Sequence, residues 1–155
     1  MVPIVRRWRR SDVPAIARLY YQTVRLVNAR DYRPEQIRAW APRVYPDGYW
    51  LRRFRGYRVY VAQVEDQLAG FAELAEDGEV DCFYVHHAVQ GRGVGRALVR
   101  QLVAVARARG ITRLFADVSR TAKPFFRRQG FRVQRRLARH YRGRTFAQWQ
   151  MWRQL

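Results

Sequence analysis

Cysteine occurs once, at Cys82, and lysine once, at Lys123. A single cysteine excludes an internal disulfide and any metal site built from several thiolates, and it suits a reducing compartment. Cys82 lies in an apolar, strand-like stretch, where it reads as a small buried hydrophobe before it reads as a nucleophile. His86 and His87 are adjacent, but no nearby Cys/His cluster supplies the three or four ligands of a metal site, so no metal is expected. Two adjacent strand residues point to opposite sides, so at most one histidine can face a ligand, and both read first as loop residues. No uninterrupted apolar run is long enough to span a membrane, and the opening MVPIVRRWRR has neither the apolar core nor the cleavage site of a secretion signal. The expectation is a cytoplasmic protein with no membrane contact.

Acidic residues are scarce too: 12 Asp and Glu stand against 31 Lys and Arg, giving a formal charge of +19. Such an arginine excess has two readings, solvated cations favoured by codon composition or affinity for polyanions. Its distribution is more telling than its size. Between Arg58 and Arg92 there is no Lys or Arg, yet Glu65, Asp66, Glu73, Glu76, Asp77, Glu79 and Asp81 all fall there. An acidic centre inside a basic shell does not suit a simple nucleic-acid clamp. It suits a ligand of one charge beside an acceptor of the other.

What is present is enough to fold. With 155 residues, 48% of them hydrophobic, the chain can bury one core, and residues 1–155 are read as a single domain. Val2 to Trp8 reads as a strand, and a helix starting at Ser11 or Asp12 carries apolar residues at 13, 16, 17, 20, 24 and 27. Pro34 opens a short helix that Pro42 stops, and residues 42–56 form an irregular aromatic stretch, a loop or short helix. YRVYVAQV, QLAGFAELA and EVDCFYV follow as three antiparallel strands, with turns at Glu65-Asp66 and Asp77-Gly78. After Gln90 a helix buries Val94, Leu98, Leu102 and Val105, leaves Arg96, Arg100 and Arg107 to solvent, and ends at Gly110. TRLFADV is a strand, TAKPFFRRQ a short helix ended by Gly130, and the last two strands flank a turn with Gly143. The predicted fold is mixed α+β: a largely antiparallel sheet of about seven strands with flanking helices.

The segment QGRGVG, Gln90 to Gly95, sits where strand gives way to helix. Glycine lets an anion approach main-chain N–H groups, and the first turn of a helix offers unpaired N–H donors at the positive end of its dipole. Gly91, Gly93 and Gly95 therefore form a pyrophosphate cradle, with Arg92, Arg96 and Arg100 adding charge; a tight turn with close helix packing is the plainer reading. There is no Gly-Lys-Ser/Thr ending of a nucleotide P-loop and no dinucleotide fingerprint with a distal acid.

FYVHHAVQGRGVGRALV resembles motif A of the GCN5-related N-acetyltransferases, Q/R-x-x-G-x-G/A, matched at Gln90, Gly93 and Gly95. RRWRRSDVPAIARLY resembles that family's first strand and helix, and AKPFFRRQGF its late A-x-x-F-Y-E-x-x-G-F signature, so most of the chain is covered in order. The resemblance implies acetyl-CoA as cosubstrate. Its pyrophosphate would lie on Gln90, Gly91, Arg92, Gly93, Val94, Gly95 and Arg96, and its pantetheine arm between two splayed strands, Glu79 to Val85 and Thr112 to Val118. Phe83, Tyr84, Ser119 and Phe126 would line that path, and the Val85 N–H would polarise the thioester carbonyl.

Acyl transfer to an amine needs a base to take the ammonium proton. Strand alternation puts Glu79, Asp81, Phe83 and Val85 on one side. By resemblance Glu79 is the base and Asp81 the second choice; a solvated residue after the turn is the plainer reading of Glu79. The sequence departs from the family at Phe126, where a tyrosine often protonates the leaving thiolate, and at Ser119, where asparagine is common. Either the thiolate leaves unaided, or Tyr141 or Tyr84 substitutes, or the chain binds CoA with little activity. Tyr20, Tyr21, Tyr32 and Trp40 are candidate walls for an amine acceptor, and each could equally be core.

From Val118 onward eleven Lys and Arg residues occur with no acid, which keeps a basic nucleic-acid- or ribosome-associated module as the alternative, although no recognised nucleic-acid motif appears. The alternation of Trp149 and Met151 with Gln148 and Gln150 allows a homodimer through the last strand, or an ordinary sheet core.

Overall fold

The computed structural model describes residues 2–155. Seven strands and five α-helices alternate along the chain: β1 (Ile4–Arg7), α1 (Val13–Leu26), α2 (Pro34–Trp40), α3 (Asp47–Arg53), β2 (Arg58–Val64), β3 (Gln67–Leu74), β4 (Val80–Val85), α4 (Val94–Ala108), β5 (Arg113–Ser119), α5 (Lys123–Arg128), β6 (Arg132–Tyr141) and β7 (Arg144–Gln154). This is the predicted mixed α+β order. The irregular aromatic stretch resolves into α3 and a 3-10 turn, because Trp50 and Phe54 can both be buried from one short helix.

The strands form two antiparallel sheets, β1-β2-β3-β4 and β5-β7-β6. Two-residue turns close β2–β3 and β6–β7, with positive φ at Glu65 and Asp66 and at Arg142 and Gly143, the pairing that matches the twist of a hairpin. The sheets meet at a parallel bridge between Glu79 and Phe115, where the Phe115 N–H donates to the Gly78 carbonyl at 3.1 Å. Gly78 has φ +99, and a Cβ there would run into the Arg113 carbonyl. Glycine is thus what allows β4 and β5 to meet at this end, from which they diverge.

Two apolar cores flank the sheets. One packs α4, through Val94, Leu98 and Leu102, against β2, β3, β5 and β7. The other gathers α1, α2 and α3 around Trp50 and Phe71 on the opposite face. β7 is the central strand of its sheet with Met151 fully buried, so the Trp149/Met151 alternation is accounted for by core packing. The outer strand is β6, exposed along nearly all its length.

Candidate active site

Main-chain chemistry defines the gap between β4 and β5. The His86 N–H donates to the Ala69 carbonyl at 2.7 Å, so Val85 and Gly70 form a non-hydrogen-bonded pair, and the N–H and C=O of Val85 and of Phe83 point away from β3 toward β5. On β5 the parity fixed by Phe115 turns Asp117 and Ser119 toward β4. Beyond Phe115 these edges no longer meet, and a cleft of about 670 Å³ opens between them. The Val85 carbonyl is claimed by Gln90 Nε2 at 3.0 Å and Thr23 Oγ at 3.3 Å. Its N–H is left facing the gap.

The cleft ends on the N-terminus of α4. Gly93 caps that helix at φ +87, and Ala97 is the first N–H to find a helical acceptor, the Gly93 carbonyl at 3.0 Å. The N–H groups of Val94, Gly95 and Arg96 are therefore free at the positive end of a 15-residue dipole. Gln90, Gly91, Gly93, Gly95 and Arg96 line this end, joined by Arg128 and Gln129 of the α5 end, which sequence reasoning did not single out. The glycines have different tasks. Gly91 and Gly93 adopt positive φ with open space where a Cβ would be, whereas a Cβ on Gly95 would lie 2.8 Å from the Phe125 ring. Gly95 is the packing glycine. Arg92 is exposed on the loop and does not line the cleft, and Val94 offers only its main chain, since its side chain is core.

The opposite end is aromatic and acidic. Tyr20, Trp40, Tyr49, Tyr84, Tyr141 and Phe146 line it, with Asp81, Asp117, Arg53 and Arg139. A bulge shapes this wall: β3 and β4 pair Leu74 with Val80 but Ala72 with Phe83, so Asp81 and Cys82 together oppose Glu73. The fully buried Glu73 accepts the Cys82 N–H at 3.0 Å and receives Arg53 at 2.7 and 2.8 Å. The same guanidinium donates to Asp81 at 2.6 Å, and Tyr57 Oη donates to Asp81 at 2.8 Å, with Glu79 at 3.4 Å. Burial, then the charges of Asp81, Asp77 and Asp117, raise the proton affinity of Glu79 above that of an ordinary glutamate. Burial holds Tyr57 protonated far into alkali, so it donates rather than ionises.

The bulge corrects the alternation read from sequence. Glu79 and Asp81 share the face of Tyr57 and α3, while Phe83 and Val85 pack with the α4 core. Asp81 lines the cleft; Glu79 does not, and is joined to Asp81 through the Tyr57 hydroxyl. Burial pushes the Cys82 thiol far above the ordinary thiol range, with the Glu73 charge adding to it, so this thiol is a packing group. His86 and His87 stack on each other at 4.3 Å, and His86, its proton affinity lowered by burial and by His87, accepts the Ala88 N–H at 3.0 Å as a turn cap.

Phe83, Ser119 and Phe126 line the gap, and Ser119 Oγ accepts the Ala122 N–H at 3.1 Å and faces Asn28 Nδ2 at 3.5 Å. Of the candidate acceptor walls, Tyr20 and Trp40 line the cleft. Tyr21 lies beneath the Arg25 guanidinium outside it. Tyr32 is a strut: its hydroxyl donates to the Ala147 carbonyl at 2.7 Å and accepts the Arg120 N–H at 2.8 Å. Arg53 and Glu73 were missed as site residues. Glu73 did carry a signal, an acid at an inward position of an apolar strand, which must find a partner when buried; Arg53, one of several arginines near α3, carried none.

Fold and site together define a class: an α+β protein whose sheet is opened by a cleft running from a helix N-terminus to an aromatic, acidic wall. Residues 28–151 match the family model of the acetyltransferase (GNAT) domain, and the chain belongs to that family. It is 29% identical over 147 residues to the uncharacterized N-acetyltransferase YafP of Escherichia coli (strain K12), covering 95% of this chain and 93% of that one. It superimposes on the GCN5-related N-acetyltransferase (Aminotransferase, Class-II) from Rhodopseudomonas palustris with a TM-score of 0.94 and 29% identity, over 100% of this chain and 97% of the other. The PaiA N-acetyltransferase from Thermoplasma acidophilum, solved in complex with coenzyme A, shares the fold at a TM-score of 0.81 and 18% identity, covering 100% of both chains. Among the described residues no helix is long and apolar enough to cross a membrane.

Proposed function

We propose that this GNAT acetyltransferase moves the acetyl group of acetyl-CoA directly to a primary amine of a small molecule or peptide bound at the aromatic end of the cleft. The observation that carries this reading is the pair of unmatched main-chain edges of β4 and β5, opening toward free N–H groups at the start of α4. Gly91 and Gly93 leave the space that a diphosphate needs, and Arg96 and Arg128 supply positive charge beside it.

In this reading the acceptor's ammonium gives a proton to the Asp81–Tyr57–Glu79 group. Asp81 lines the cleft, and Glu79 is the carboxylate with raised proton affinity. The amine nitrogen then attacks the thioester carbonyl carbon, and the Val85 N–H stabilises the oxyanion. As the carbonyl re-forms, the C–S bond breaks, the electron pair leaves on sulfur, and the nitrogen gives its second surplus proton to water, leaving a neutral amide. Phe126 has no proton to give. Tyr141, half-exposed on the cleft lip, is the phenol assigned to the thiolate. Tyr84 lines the same end but is partly buried, its ring packed between Tyr20 and Phe71.

The test is release of free thiol from acetyl-CoA across a panel of amines, aminoglycosides, amino acids and basic peptides. One acceptor turned over with matching thiol and N-acetyl product supports the reading. No acceptor turned over, together with no heat on titrating coenzyme A, overturns it.

A further inference from the structure

The free edge of β7 points to a second ligand site. β5 pairs with β7 only as far as Ser119 and Gln148. The β6 hairpin continues, and its two-residue turn makes Tyr141–Arg144 and Arg139–Phe146 the hydrogen-bonded pairs. By that alternation the N–H and C=O of Thr145 and Ala147 point away from β6, on the side that β5 has vacated. The two carbonyls are satisfied by side chains: Gln36 Nε2 donates to Thr145 at 2.7 Å, and Tyr32 Oη to Ala147 at 2.7 Å. Among the described residues no acceptor meets the two N–H groups, which lie about 7 Å apart on one edge.

They open into a hollow of about 640 Å³, separate from the main cleft and lined also by Arg30, Arg33, Arg120 and Asp31. Three guanidiniums against one carboxylate, with two unclaimed main-chain donors, make this hollow attractive to anions. Arg30 has no ion-pair partner among the described residues, and the Arg33–Glu35 contact is long, at 3.8 Å. Arg120 spends one NH on the Asp31 carbonyl at 3.1 Å, leaving its other donors free.

We infer that this hollow binds a compact oxyanion carrying two or more negative charges, a phosphoryl or polycarboxylate group. The carbonyls that would repel such a ligand are already capped by Gln36 and Tyr32, and the donors that would receive it are not.

The test is titration of the whole protein with inorganic pyrophosphate and, separately, with tricarballylate, following assigned main-chain amide resonances with and without coenzyme A. Saturable shifts at Thr145 and Ala147, in the presence of coenzyme A, are expected for one probe or both. Pyrophosphate alone would indicate a phosphoryl ligand, and tricarballylate alone a carboxylate. Shifts confined to Gly93–Arg96 would report binding at the main cleft and overturn the second site. The double variant Arg30→Gln/Arg33→Gln, both exposed positions, is expected to weaken probe binding at least tenfold while the Gly93–Arg96 response to coenzyme A stays the same. Unchanged affinity in that variant would also overturn the inference. Should the variant fold poorly, the wild-type shifts and their loss at high salt decide the matter.

Discussion

The buried carboxylate of Glu73 accepts the main-chain N–H of Cys82 at 3.0 Å, across the bulge that lets two β4 residues oppose one of β3. That bond holds an otherwise orphaned N–H, and the same carboxylate holds Arg53. The acidic wall of the cleft is therefore built outward from a residue that never touches the cleft.

Replacing Glu73 with Leu strands the Cys82 N–H and leaves the Arg53 guanidinium with Asp81 as its remaining carboxylate. A loss of about 3–5 kcal/mol in unfolding free energy is expected by urea denaturation, as for other broken buried pairs. Glu73→Gln keeps an acceptor for Cys82 and should recover part of it. Equal losses in the two variants would show that the bulge bond contributes nothing.

Asp81→Asn removes the carboxylate that lines the cleft. Turnover of a productive acceptor should fall about 100-fold or more, in the range of general-base losses, while coenzyme A binds with unchanged affinity. Calorimetry and steady-state kinetics on the same sample check both halves.

Glu79 binds its proton more tightly in the fold than in the unfolded chain, because of burial and the neighbouring Asp81, Asp77 and Asp117. A carboxyl raised in this way supports the fold at low pH, and that support is lost as pH rises through its folded value. Glu79→Gln should therefore be more stable than wild type at neutral pH, with the advantage disappearing under acid conditions. The acid limb of the pH–rate profile should lie above the ordinary glutamate range and should move in this variant.

Gly93→Ala forces a side chain into φ +87, and Gly95→Ala puts a Cβ against Phe125. The first should cost about 1–2 kcal/mol through backbone strain. The second should push α5 from α4. Both should weaken coenzyme A binding at least tenfold, read by titration calorimetry, and Gly110→Ala, strained at φ +74 but remote from the cleft, should not.

Tyr141→Phe is expected to lower kcat about tenfold to a hundredfold with little change in coenzyme A affinity, if its proton meets the leaving sulfur. Tyr45, raised to about 12 by burial and then by its neighbour Tyr141, stays a phenol and donates to the Trp40 carbonyl at 3.1 Å. Tyr84→Phe should change stability more than rate, because that ring is packed between Tyr20 and Phe71.

What the sequence determined by itself was local. The apolar stripe of α4, the turn residues at Glu65-Asp66 and Gly143, and the glycines before α4 each act within a few residues, so spacing reveals them. The bulge at Asp81–Cys82, the pairing of Arg53 with Glu73, the strut made by Tyr32 and the unmatched edges of β4, β5 and β7 were decided only in three dimensions. Each joins groups that lie 9 to 115 residues apart in the chain. Such contacts exist only where packing brings distant segments together, and burial then forces their polar groups to find partners.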